Sequence, residues 1–372
     1  MDITKANLVG LIPLWAGILT MSIGLVGPAT AQSARPAAAE ANVVPFATGL
    51  QFPRGLRFGP DGNLYVAEAG EGRTSIPPPG SCELAGPVVR PYTSALTGGR
   101  ISKLDANGAR TTVTDSFPRA VNGLGDALGV ADIEFIDGTM YALIASGGCS
   151  HAVTSIPSGV ARVNPNGSWS MVADLSAYQR SNPVKKPESG DYEPDGTWYS
   201  MVGVRGNLYA VEPNHGELVK ITTDGEVTRV IDISASQGHV VPTSVAYHGV
   251  FYVGNLGEFD HVEINKQKIF QITPSGEMRV AAAGLSKVLG VAFDSRHRMY
   301  VLEMTTGQQF PVPGLGRIVR VARNGDVKII TSGLFLPTAM TFGPDGNLYV
   351  ANWGFGPPGR GAILKVEIPD AD

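Results

Sequence analysis

The 372-residue sequence is poor in the features that mark many protein classes. Only 17% of its residues are charged, the net charge is −4, and no basic run stands out. A nucleic-acid partner therefore has no electrostatic footprint. The six histidines, His151, His215, His239, His248, His261 and His297, include no HExxH pair or other zinc spacing. There is no P-loop, no GxSxG elbow and no GxGxxG set between strand and helix. His215, in a PNHG turn, reads as a surface residue; His151 is the one histidine placed near a possible functional face. Asn166-Gly167-Ser168 is a glycosylation sequon but falls in a hairpin turn. Long apolar runs are also scarce: Leu8 to Val26 is the single one, ahead of the small-x-small site Ala29-Thr30-Ala31. That arrangement predicts a signal peptide over 1–31, an uncleaved anchor being the alternative. A loose linker over 32–42 and a tail over 369–372 flank the rest. The expected location is secreted or periplasmic, with no membrane contact after cleavage, and the expected state is a monomer.

Glycine (47) and proline (27), by contrast, are plentiful, and with them comes repetition. FGPDGNLYVA occurs at Phe58–Ala67 and again at Phe342–Ala351. Weaker copies lie between, each with tyrosine in one register: Tyr65, Tyr141, Tyr209, Tyr252, Tyr300 and Tyr349. A short apolar segment precedes each tyrosine segment, from RGLRF through DIEF to AMTF, and another follows, such as RISKLD and AILKVE. Most of these then reach Asn-Gly or Asp-Gly, the two-residue hairpin signal. Six units of four short strands, none stable alone, predict an all-β, six-bladed β-propeller over 43–368. The last unit is one strand short, and VVPFATGL (Val43–Leu50) matches the fourth strand VKIITSGL (Val327–Leu334). The N-terminal strand is thus expected to complete the last blade, making the two identical decapeptides neighbours across the closure.

GLQFPRGLRFGPDGNLYVAEAG from Gly49, ARVNPNGSWSMVADLSAY from Ala161, and VPTSVA with YVGNLGEF between Val241 and Phe259 carry a family likeness. In these segments the chain resembles the ScyD/ScyE family of exported propellers, over about Val43 to Ile368. Single motifs are shared with propellers of the NHL and SMP-30/gluconolactonase type. The third unit departs from the pattern at EPDGTWYSM from Glu193. The resemblance implies export and a propeller fold; it implies no defined chemistry.

The residue three after each tyrosine is expected on one face around the axis: Glu68, Ile144, Glu212, Asn255, Glu303 and Asn352. Five of these six are oxygen donors, and with Asp132, just before DIEF, they would form a converging ring. Such a set suits Ca²⁺, at Glu68, Glu212, Glu303 and Asn352 above all. Lactonase-type propellers hold a metal in this place, where it can polarise an ester carbonyl. The bland reading is that these residues cap loop backbone. Arg57 and Glu134, in matching first strands, are placed to pair across a blade interface, the alternative being that both point into a hydrated channel. The six tyrosines and the basic third-strand positions read as packing. Cys82 and Cys149 lie in long excursions on one face of adjacent blades and are expected to form a disulfide in an oxidising compartment, two free thiols being the alternative.

The first functional expectation is a non-catalytic exported propeller that binds a small molecule or partner protein on the face carrying Gly70–Gly99 and Tyr178–Thr197. The alternative is a Ca²⁺-dependent hydrolase or lactonase, and a scaffolding envelope component is a third.

Overall fold

A computed structural model describes residues 40–187, 190–258, 264–307 and 312–368. The leader 1–31, most of the linker and the tail 369–372 lie outside the described residues, as does His261. Glu40 onward forms one compact unit.

Six antiparallel sheets follow one another along the chain. The architecture is a six-bladed β-propeller. Blade 1 comprises Pro53–Phe58, Leu64–Glu68, Thr93–Leu104 and Arg110–Val121, with an added two-residue strand Ala127–Leu128. The repeat frame gives no sign of that fifth strand; it pairs with Ala120 and Val121 along the edge opposite their partners Ser94 and Thr93. Blade 2 runs from Val130–Ile136 to Trp169–Asp174, blade 3 from Ser200–Val204 to Val227–Asp232. Blade 4 runs from Pro242–Tyr247 to Met278–Leu285, blade 5 from Val288–Phe293 to Val327–Leu334. Blade 6 has Ala339–Phe342, Leu348–Asn352 and Gly361–Glu367. Its fourth strand is Asn42–Leu50, antiparallel to Gly361–Glu367, with Val44 opposite Lys365 and Leu50 opposite Gly361.

Alternation along each strand sends one set of side chains to each neighbouring blade. Six apolar clusters result, one at each blade-to-blade junction. Tyr65 and Ile101 of blade 1 meet Val130 and Ile133 of blade 2. Leu56 and Leu64 meet Tyr349 and Ile363 across the closure. The register tyrosines are packing residues: Tyr65 lies edge-on to Phe135 at 5.1 Å, Tyr300 to Phe342 at 5.2 Å, and Tyr349 to Phe58 at 5.0 Å.

The repeated decapeptide builds one device twice. In the Pro-Asp-Gly turn, Asp61 accepts hydrogen bonds from the Asn63 amide and the Tyr65 hydroxyl, and pairs with Lys103 at 2.9 Å. Asp345, Asn347, Tyr349 and Lys365 do the same. Gly62 and Gly346 follow the aspartates at φ 76° and 77°, a left-handed conformation that a Cβ disfavours. Burial works against the Asp345 charge, but Lys365 and Asn347 outweigh it and hold the carboxyl at about 2.

Around the axis the first strands approach closely. The Asp132 carboxylate accepts from the Met201 amide at 2.8 Å, and Glu134 from the Gly203 amide at 2.9 Å, so blade 2 supplies acceptors to the inner edge of blade 3. Glu134 also meets Arg57 of blade 1 at 3.1 Å, the expected pair across a blade interface. A Cβ on Gly55 would overlap the Asp132 carboxylate, so only glycine fits there.

Candidate functional site

Loops that join blades, and those that leave the second strands, gather on one face and enclose a cavity of about 420 Å³. Two long excursions form much of its wall. One, between Glu68 and Thr93, contributes Val88, Val89 and Tyr92; the other, ahead of Ser200, contributes Asp191, Glu193, Thr197, Trp198 and Tyr199. They are laced together: the Gly86 amide donates to the Tyr192 carbonyl at 2.7 Å and the Val88 amide to the Gly190 carbonyl at 3.0 Å. A Cβ on Gly86 would overlap the Gly190 carbonyl oxygen, which fixes glycine at the crossing. Cys82 is disulfide-bonded to Cys149 of blade 2, with a Cα–Cα distance of 5.7 Å. The pairing expected from the sequence is therefore present, and it staples the first excursion to the next blade.

Just beyond Cys149, a single 3₁₀ turn ends at His151, which is fully buried. Its Nδ1 donates to the Gly147 carbonyl at 2.7 Å, and its Nε2 lies 2.5 Å from Glu193. The Tyr92 hydroxyl donates to both Glu193 oxygens at 2.9 Å, and its ring packs 4.7 Å from the imidazole. Burial alone would push the His151 imidazole down; the Glu193 carboxylate outweighs it, so the ring is held above its ordinary value. Burial, with Glu193 beside it, pushes the Tyr92 hydroxyl well up, so it stays a donor. This Tyr–Glu–His cluster ties blades 1 and 2 to the excursion ahead of blade 3.

Arg54 also lines the cavity, paired with Asp126 and donating to the Ala127 carbonyl at 2.5 Å. Its guanidinium lies 4.9 Å over the Phe355 ring. Asp191 is 4% exposed. One of its oxygens faces His239 Nε2 at 3.1 Å, and its carbonyl accepts from the Asn214 amide at 2.8 Å. The other carboxylate oxygen, Oδ1, has no hydrogen-bond partner. An unmade hydrogen bond on a buried acceptor costs about 1–3 kcal/mol. The remaining wall is largely apolar, with Leu124, Leu128, Leu256 and Leu289.

The predicted ring residues have other partners. Glu68 accepts from the Gln51 amide and from Ser102 Oγ. Glu212 accepts from the amides of Thr197 and His215. Glu303 accepts from the Ser286 amide and pairs with Arg317. Asn352 accepts from the Phe335 amide at 2.8 Å, and Asn255 donates to the Lys268 carbonyl at 2.9 Å. Four of the five thus accept from the loop that enters their own blade, and none of the five lines the cavity. Asp132 lies within a strand that begins at Val130, with a register break between Val130 and Asp132, rather than before it. It lines a second cavity of about 440 Å³ among the first strands, beside Arg57 and Ser244. Among the described residues, no three His, Cys, Asp or Glu side chains come together as a metal-binding group. Ca²⁺ is thus a poor fit to Glu68, Glu212, Glu303 and Asn352 as they stand, since each already accepts a backbone amide.

His215 is a correction: it is 2% exposed, its ring tilted against that of Tyr192 at 4.9 Å, with Nε2 3.0 Å from the Glu193 carbonyl. Glu212 draws the turn inward by accepting the His215 amide, so the PNHG segment folds under the excursion. Sequence reasoning marks both excursions but misses Arg54, Asp126, Asp191 and Glu193. The EPDG departure from the repeat pattern is the available signal.

No family model and no curated protein matches the chain. Solved structures do resemble it. A putative glucose dehydrogenase-type oxidoreductase from Thermus thermophilus is 17% identical, with a TM-score of 0.56 over 88% of this chain and 99% of that one. A Bacteroides thetaiotaomicron protein of unknown function is 11% identical, TM-score 0.56, over 88% and 76%. A gluconolactonase from Xanthomonas campestris is 10% identical, TM-score 0.53, over 88% and 90%. At these identities the likeness is one of fold alone.

Proposed function

We propose that the protein is an exported binding propeller of the ScyD/ScyE type, which takes a small molecule in the cavity between its two long excursions. One observation carries the reading: an apolar chamber of about 420 Å³ with buried, oriented polar groups on its wall. Small-molecule sites share that design, at volumes of about 300–1,000 Å³. The Tyr92–Glu193–His151 cluster and the Cys82–Cys149 bond fix the wall in advance, which lowers the ordering cost of binding. The disulfide also supports maturation in an oxidising compartment, secreted or periplasmic.

A metal-assisted hydrolase would need Glu68, Glu212, Glu303 and Asn352 to release the loop amides they now accept. A thermal-shift screen of small molecules tests the binding reading. Hits are expected to raise the melting temperature by mass action. They should lose that effect in Leu124→Trp, a change at a 60% exposed residue on the cavity rim. Hits that act equally on the variant, or a screen without hits, would count against the cavity. A melting temperature that falls with EDTA and recovers with calcium would favour the hydrolase.

A further inference from the structure

The chamber has a floor. At the head of the first strands, Arg54, Ala131, Tyr199 and Thr243 line the apolar chamber. Further along the same segments, Arg57, Asp132, Ser200 and Ser244 line the polar cavity of about 440 Å³. The two cavities therefore lie in series along the axis. Leu289 of blade 5 is buried and lines both. Tyr199 crosses the axis beside it: it leads into blade 3, and its hydroxyl reaches to 3.5 Å from the carbonyl of Thr338, which leads into blade 6, the opposite blade of the wheel. Leu289 and Tyr199 pack in one apolar cluster with Val241, Leu256 and Leu336.

The wall above that floor presents no unmatched charge. Arg54 is paired with Asp126, Glu193 with His151, and Asp191 faces His239 Nε2 at 3.1 Å. The other Asp191 oxygen is closed off from the chamber. Burial pushes the Tyr199 hydroxyl up to about 12, so it stays uncharged. A charged ligand would lose its hydration here and find no free countercharge. An apolar one would cover Leu128, Leu256 and Trp198.

Resting on the binding-cavity reading above, we propose that the ligand is an uncharged, mainly apolar molecule that stands on the Tyr199–Leu289 floor, and that this floor caps its length. The apolar end packs on the floor, and a polar end faces the mouth, where Leu124 marks the rim. A longer molecule has to displace the floor or leave its excess in water.

Isothermal titration calorimetry of the purified chain with 4-alkylphenols, from ethyl to octyl, tests this. In the unaltered chain, affinity is expected to rise about fourfold per methylene while the alkyl group fills apolar space, and to stop rising once it meets the floor. Leu289→Ala is expected to move that break to longer alkyl groups, and Leu289→Phe to shorter ones. 4-Butylphenol is expected to bind at least tenfold more tightly than 4-butylbenzoate or 4-butylbenzylamine, which add a negative or a positive charge to the same body. The break and the comparison of charges are both read on the unaltered chain, so they stand even if a variant folds poorly. Affinity that climbs through octyl without a break, a break that neither substitution moves, or equal or tighter binding of a charged probe overturns the proposal. So does failure of the phenols to bind. Charged hits from the wider screen that Leu124→Trp abolishes would leave the binding cavity standing and remove only the uncharged, floor-limited ligand.

Discussion

Asp132 illustrates what a residue type reveals and what it conceals. As an oxygen donor ahead of DIEF it suggests a metal ring; in the fold its carboxylate takes the Met201 and Ile133 amides beside the bare Cα of Gly55. The Met201 contact has no local signature, since Met201 is 69 residues away and belongs to the next blade. Burial pushes the Asp132 carboxyl from 3.8 to about 6, against the pull of Arg57. A raised carboxyl binds a proton in the folded chain where the unfolded chain has lost it, so its contribution to stability falls as pH rises from about 4 to about 6. At about 1.4 kcal/mol per pH unit, the span is roughly 3 kcal/mol. Asp132→Asn should therefore flatten that part of the profile and leave stability at pH 7 no lower than in the parent. Urea unfolding at several pH values measures it; an unchanged slope in the variant would assign the pH dependence elsewhere. The tyrosine register, by contrast, is readable residue by residue, because period-2 alternation and packing on the next blade are one constraint.

The excursion between Glu68 and Thr93 is the element on which the site depends, and it belongs to no repeat. Its position was legible, since the repeat frame leaves it over as surplus chain; its lacing to the residues ahead of blade 3 was not, because backbone bonds such as Val88 to Gly190 carry no sequence pattern. What anchors it covalently is Cys82–Cys149, closing a loop of 67 residues. Chain-entropy arguments put such a closure at about 4 kcal/mol, model-dependent. The blades themselves do not cross that bond, so its loss should act on the excursion first. Cys82→Ser with Cys149→Ser is expected to lower the melting temperature and to open 70–92 to limited proteolysis while the blade strands stay protected. If the double variant is cleaved no faster than the parent, the hydrogen bonds alone hold the wall. The His151–Glu193 pair adds a pH term of its own. A raised imidazole stabilises the fold fully below its unfolded value near 6.5, and that stability is lost as pH rises through the folded one. The excursion should then grow more susceptible to protease on the alkaline side, which His151→Gln should abolish.

At the scale of the whole molecule, stability rests on six like junctions, and one of them has a non-covalent latch. Asn42–Leu50 pairs with Gly361–Glu367, chain positions more than 300 residues apart. Leu50, fully buried, sits in the cluster that also holds Leu56, Tyr349 and Ile363. Gln51 continues directly into blade 1 and donates its amide to Glu68, so the latch strand is tied to the first blade by sequence and to the last by pairing. Removing residues 1–50 would expose the edge of Gly361–Glu367, with its unpaired amides and carbonyls, and uncover the cluster at Ile363. A ring shares its strain: a gap at one junction frees both flanking blades. The truncated chain is expected to melt well below the parent and to self-associate through the bared edge. Adding a peptide of residues 40–50 in trans should restore part of both losses, because it returns the same register without the covalent link. Differential scanning calorimetry with sedimentation velocity reads the two effects together. A truncated chain that melts as the parent does and stays monomeric would mean that the wheel closes through the side-chain clusters alone, with the latch strand as trim.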